Sequence, residues 1–287
     1  MSKNKFLNQT NIVSVLLIIF TILFSGLNQI LGTINGLGSG ARFIIVAIVS
    51  YAPLMYYYFA RRNYLNMEIS PASYRKVSIP SFISLLAILL SVAFFGGILS
   101  ATISKLIPTA TASSNSQDAS LDILLIIYTC ILGPILEELA WRGLLQSSLN
   151  RFGYRFAIIF SSLAFALMHH DIEQGIAAFC TGVFFAIVRK NYGLIMSIIL
   201  HIVNNSWVEL SSYLNNHDSG KQVSAIVIIL ALLITLITLV IFVIKKLKRK
   251  STEEKFSFAG EKFDLIKYFL FPLLLVLDLI LTMSGRF

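Results

Sequence analysis

The sequence predicts an all-α fold: a polytopic transmembrane helical bundle of about eight to nine spans with an intramembrane polar cavity. Three observations predict it. Of the 287 residues, 56% are hydrophobic and 13% charged, far from the balance of a soluble domain. Apolar runs of about 20 residues, the length needed to cross a hydrocarbon core of roughly 30 Å, recur along the chain. The basic residues between those runs fall on alternate sides, as spanning helices require.

In order, the runs are Ile12 to Leu31, Phe43 to Ala60, Ile79 to Ile103, Leu121 to Leu149, Phe156 to His169, Gly175 to Val188, Gly193 to Leu214, Val223 to Ile244 and Tyr268 to Met283. The first is too long for a signal-peptide core and has no small-residue cleavage site after it, so it reads as a retained helix. The fifth and sixth are short, which calls for little tilt, a locally thin bilayer or enclosure by neighbouring helices. Two polar stretches, Pro108 to Ser120 and Ser251 to Lys267, interrupt the pattern without the look of a folded soluble domain. The expected organisation is N-terminal transmembrane helices over residues 1–119, a core over 120–215, and C-terminal transmembrane helices with a basic linker over 216–287. Cys130 and Cys180 fall inside apolar runs, where they behave as small hydrophobes, and neither belongs to a Cys-x-x-Cys pair.

With the N-terminus on the cytoplasmic side, the inner loops collect Lys3, Lys5, Arg61, Arg62, Arg75, Lys76, Arg151, Arg155, Arg189, Lys190, the tract Lys245 to Lys250, Lys255, Lys262 and Lys267. The outer loops keep Arg42, Lys105, Lys221 and Arg286. This asymmetry obeys the positive-inside rule through every reversal of a nine-span chain. The net charge of +9 is therefore a matter of topology and contact with the lipid bilayer, and no nucleic-acid partner is expected.

The fourth run holds Gly133-Pro134-Ile135-Leu136-Glu137-Glu138-Leu139-Ala140-Trp141-Arg142. Carboxylates and a guanidinium inside a membrane helix are costly unless partnered, which makes them functional candidates. Glu138 and Arg142 stand at the favourable i, i+4 spacing and support one another. Glu137 points about 100° away and has no partner on its own helix, the situation of a general base. Pro134, lacking an amide hydrogen, and Gly133 are expected to kink the helix ahead of the acids. The fifth run ends Phe165-Ala166-Leu167-Met168-His169-His170, with Phe165 and His169 on one face, and the seventh places His201 and Asn205 on one face. At ~1.5 Å per residue, Glu137 and His169 lie ~21 Å and His201 ~13 Å from the inner boundary, so all three fall near mid-membrane and line one hydrophilic cavity. Glu209, two turns beyond His201, faces the same way. Asp278 reads as a helix-packing aspartate, while His170, Asp171 and Glu173 read as solvated at the outer end of the fifth run.

These motifs resemble the CPBP family of intramembrane proteases, which includes type II CAAX prenyl proteases and the bacterial Abi-type bacteriocin-processing and self-immunity proteins. Glu-Glu-x-x-x-Arg matches Glu137, Glu138 and Arg142; Phe-x-x-x-His matches Phe165 and His169; the third motif matches His201 and Asn205. The likeness covers Leu121 to Leu214, and Asn204 stands where the CAAX branch often has Cys, which argues for the bacterial branch and a bacterial cell membrane. The resemblance implies an intramembrane endopeptidase in which Glu137 with His169 activates water while His201 and Asn205 stabilise the oxyanion. Its substrate would be a membrane-associated peptide or protein. No cofactor is required in that mechanism; Glu137, His169 and His201 would also serve as a three-ligand zinc site, the less favoured reading. Two other classes compete: a non-catalytic scaffold or regulator of a partner such as a sensor kinase or peptide exporter, and a proton-coupled transporter. The absence of a visible internal repeat counts against the transporter.

Overall fold

In the computed structural model, residues 8–67, 75–106, 122–248 and 262–284 are described. Lys3 and Lys5, the polar stretch 108–120, most of the linker 251–267, the end of the basic tract at Arg249 and Lys250, and Arg286 lie outside the described residues. The described chain is helical throughout and has no strand. Seven helices are long and apolar enough to cross a membrane, and two shorter apolar ones accompany them. In chain order they are α1 (Gln9–Gly32), α2 (Ser39–Met67), α3 (Ile79–Leu106), α4 (Ile123–Phe152), α5 (Tyr154–Leu167), α6 (Ile172–Tyr192), α7 (Leu194–Leu214), α8 (Asp218–Lys248) and α9 (Leu270–Ser284). The molecule is a polytopic helical membrane bundle, as expected.

Each helix begins where the local chemistry allows it. Asn8, Asp122 and Asp171 accept amide hydrogens in the first turns of α1, α4 and α6. Gly153 and Gly193, with φ of 96° and 92°, turn the chain sharply into α5 and α7. The sixth span is not short: α6 runs 21 residues because it continues through Arg189 and Lys190. Arg189 is nevertheless buried, with Nη2 donating to Ser147 Oγ at 2.5 Å. The fifth span is short, at 14 residues, and packs against α4, α6 and α9. Its buried Ala157, Ser161, Ser162, Ala164 and Ala166 permit that close approach.

The main core is aromatic. Trp141 of α4 meets Phe20 of α1, Tyr51 of α2 and Phe165 of α5 edge-on, at centroid distances of 5.5, 6.3 and 6.0 Å. A second apolar cluster, with Leu89, Phe185 and Leu200, joins α3, α6 and α7. Helix α8 is largely exposed and packs on α3, where Thr235 pairs with Ser91 at 2.9 Å.

Candidate active site

Helix α4 is not a uniform α-helix. It widens into π turns over Tyr128–Leu132 and Glu138–Leu145, either side of a short α segment, Gly133–Glu137. The amide of Gly133 reaches back to the carbonyl of Tyr128, five residues earlier, so the chain passes Pro134 within a widened turn. Such turns shift the register of every side chain that follows and recur at functional sites.

Glu138 is fully buried and triply held. Arg142 Nη1 lies 3.4 Å from its Oε1, Ser197 donates to its Oε2 at 2.5 Å, and His201 Nδ1 stands 3.1 Å from its Oε1. Arg142, also fully buried, donates to the carbonyl of Gly182 at 3.1 Å and lies over the Phe165 ring, 4.1 Å from its centroid. A charge-assisted network of this kind is affordable in hydrocarbon because nearly every charge has an opposite charge or a dipole beside it. Phe165 thus separates the cation beneath from His169 and His201, whose rings it meets edge-on at 5.2 and 5.8 Å.

Glu137 faces the other way, into a cavity of about 700 Å³. His169, His201 and Asn205 line the same cavity, and Tyr51 and Tyr128 form part of its wall. His201 stacks on Phe185 at 4.5 Å, and its Nε2 lies 3.6 Å from Glu137 Oε2. Its two ring nitrogens therefore address the two adjacent glutamates. Among the described residues the ion pair to Glu137 comes from His201 and none from His169. Asn205 donates through Nδ2 to the carbonyl of Thr129 at 3.0 Å and accepts from Asn204 at 3.2 Å, which leaves one amide hydrogen for the cavity. Glu209 also lines the cavity, at its exposed rim. Among the described residues no three His, Cys, Asp or Glu side chains are grouped so as to hold a metal ion.

All seven residues singled out from the sequence thus come together, Glu137, His169, His201 and Asn205 on the cavity and Glu138, Arg142 and Phe165 against or beneath it. Sequence reasoning missed Ser197, although its place four residues before His201 on the same helical face was a usable signal. It also missed Phe185 and the Gly182 carbonyl, which no spacing announces. His170 departs from its expected solvation: it is half-buried with its side chain largely covered, adopts φ of 51°, and its Nε2 lies 3.3 Å from Asp278 Oδ1. Thr21 donates to the same Asp278 oxygen at 3.2 Å, so that aspartate packs α9 against α1 and the α5–α6 turn.

No curated protein and no solved structure matches the chain. Residues 119–207, under a third of the chain, match the family model of type II CAAX prenyl endopeptidases, Rce1-like, in agreement with the CPBP resemblance carried by the three motifs.

Proposed function

We propose that the chain is an intramembrane endopeptidase that hydrolyses a peptide bond of a membrane-associated protein or peptide through water activated by glutamate and histidine. The observation that carries this reading is the convergence of Glu137, His169, His201 and Asn205, from α4, the α5–α6 turn and α7, on one cavity. In this reading Glu137 takes a proton from water as its oxygen attacks the scissile carbonyl carbon. The oxyanion that forms accepts hydrogen bonds from the free Asn205 amide hydrogen and from His201. As the C–N bond breaks, the proton passes to the leaving amine, with His169 placed in the cavity to share it. Glu138, Ser197 and Arg142 touch no substrate; they hold the His201 ring so that Nε2 faces Glu137.

The test compares peptides and new protein N-termini from cells carrying the wild-type chain or Glu137→Ala at matched membrane levels. Specific products that disappear with Glu137→Ala are expected, and their termini name the substrate. Identical profiles overturn the reading and leave a non-catalytic scaffold. Cleavage by the purified chain is expected to persist with a chelator, whereas its loss, restored by zinc, assigns Glu137, His169 and His201 to a metal.

A further inference from the structure

The cavity opens into one half of the bundle and ends near its middle. Its wall takes Asn28 from the last two turns of α1, Phe43 from the start of α2, Gly97 from the latter half of α3, Thr129 from the start of α4, Gln174 from the start of α6 and Glu209 from the latter half of α7. Every one of these positions lies toward the membrane face at which α1 ends. From that face the cavity reaches inward to Glu137, midway along α4, and to His201 in the first half of α7.

The two faces differ sharply in charge. At the face where α1 begins stand Arg61, Arg75, Lys76, Arg151, Arg155, Arg189, Lys190, Lys245, Lys262 and Lys267, against Asp264 among the described acids. The cavity face carries Arg42, Lys105 and Lys221 with Asp122, Asp171, Glu173, Glu209 and Asp218. Basic residues near span ends are retained on the cytoplasmic side during insertion, so the basic face is the inner one.

From these two facts together we infer that the cavity opens on the non-cytoplasmic face, and that the segment it takes is a polypeptide exposed at the outer leaflet rather than a cytosolic tail. The statement about the face is independent of any chemistry; the statement about the substrate rests on the endopeptidase reading. A hydrophilic passage from the inner face would have to cross the aromatic layer of Phe20, Tyr51, Trp141 and Phe165 and the closed Glu138–Arg142 network. On the outer side the exposed Val208 and Glu209 sit at the cavity's rim.

The test uses the full chain in bacterial cells. After Cys130→Ala and Cys180→Ala, a single cysteine is introduced by Glu209→Cys at the rim or by Lys76→Cys at the opposite face, and each is treated with a membrane-impermeant maleimide. Labelling of Glu209→Cys in intact cells, and of Lys76→Cys only in inverted membrane vesicles, is the expected pattern. The reverse pattern, or equal labelling of both in intact cells, overturns the inference. Should a cysteine variant fail to fold, the unaltered chain answers the same question through an impermeant amine reagent: Lys221 is expected to react in intact cells and Lys76 only in inverted vesicles. For the substrate, the termini lost with Glu137→Ala are expected to map to outer-face segments; termini mapping to cytosolic tails overturn that half. If no termini change, the endopeptidase reading fails while the labelling still decides the face.

Discussion

At the scale of single residues, the site depends on one buried charge being answered by another. Arg142→Leu removes the cation from a fully buried Glu138 and a second donor from the Gly182 carbonyl. Breaking such a buried pair from one side costs about 3–5 kcal/mol, because the carboxylate keeps only Ser197 and His201 and loses its guanidinium. The variant is therefore expected to unfold at a markedly lower temperature in detergent, as followed by circular dichroism, whereas Glu137→Ala, which empties a cavity wall, is expected to unfold close to the wild type. Much of this was legible in the sequence. Glu137, Glu138, Arg142, His169 and His201 are ionisable groups within apolar runs, and their cost in hydrocarbon is enough to single them out. What was not legible is how they pair. His201 rather than His169 meets Glu137, because the π turns of α4 and the docking of α7 set those distances, and neither leaves a mark in residue spacing.

At the scale of elements, the helix starts decide where the site sits. Asp122, just outside the span of α4, accepts from the Gly40 amide at 2.6 Å and from those of Leu125 and Leu124, so it joins the first turns of α2 and α4. A Cβ at position 40 would collide with the α4 backbone, which explains the glycine there. The Gly40 amide, followed by that of Leu125, holds the Asp122 carboxyl below its usual range, with the Leu124 amide adding to the effect and partial desolvation opposing it. A carboxylate whose pKa is lowered on folding adds stability above its unfolded pKa, about 3.9, and that stability is lost as pH falls through the folded value. The unfolding temperature of Asp122→Ala is thus expected to lie below that of the wild type at pH 7, with the gap closing on acidification below about pH 4. The sequence located nine helices correctly but cut α6 short, since a run of hydropathy stops at Arg189 while the helix carries it inward to Ser147. Pro134 likewise predicted a kink, and the structure absorbs it by widening the turn.

At the scale of the whole molecule, the fold was readable because hydrocarbon admits so few architectures: each apolar run had to be a helix, and basic residues fixed the alternation of ends. The enclosure of the cavity was less readable, because it depends on helices from outside the matched stretch, with Phe20 and Asn28 of α1, Tyr51 of α2 and Gly97 of α3 completing its wall. Among the described residues, two of the nine helices, α5 with 14 residues and α9 with 15, are packed against one another. At ~1.5 Å per residue they rise only ~21–23 Å, well short of a hydrocarbon core of roughly 30 Å. Where this pair meets lipid, hydrophobic matching favours a thinner bilayer beside it, on the flank that holds His169. In the endopeptidase reading, cleavage by the purified chain is accordingly expected to slow several-fold as it is moved from vesicles of short-chain to long-chain phosphatidylcholine, an equal rate in both counting against such thinning. In a thinned patch of this kind a chain anchored in the bilayer would meet water sooner than elsewhere, which in the endopeptidase reading makes membrane thickness itself a regulator of how readily a scissile bond is presented.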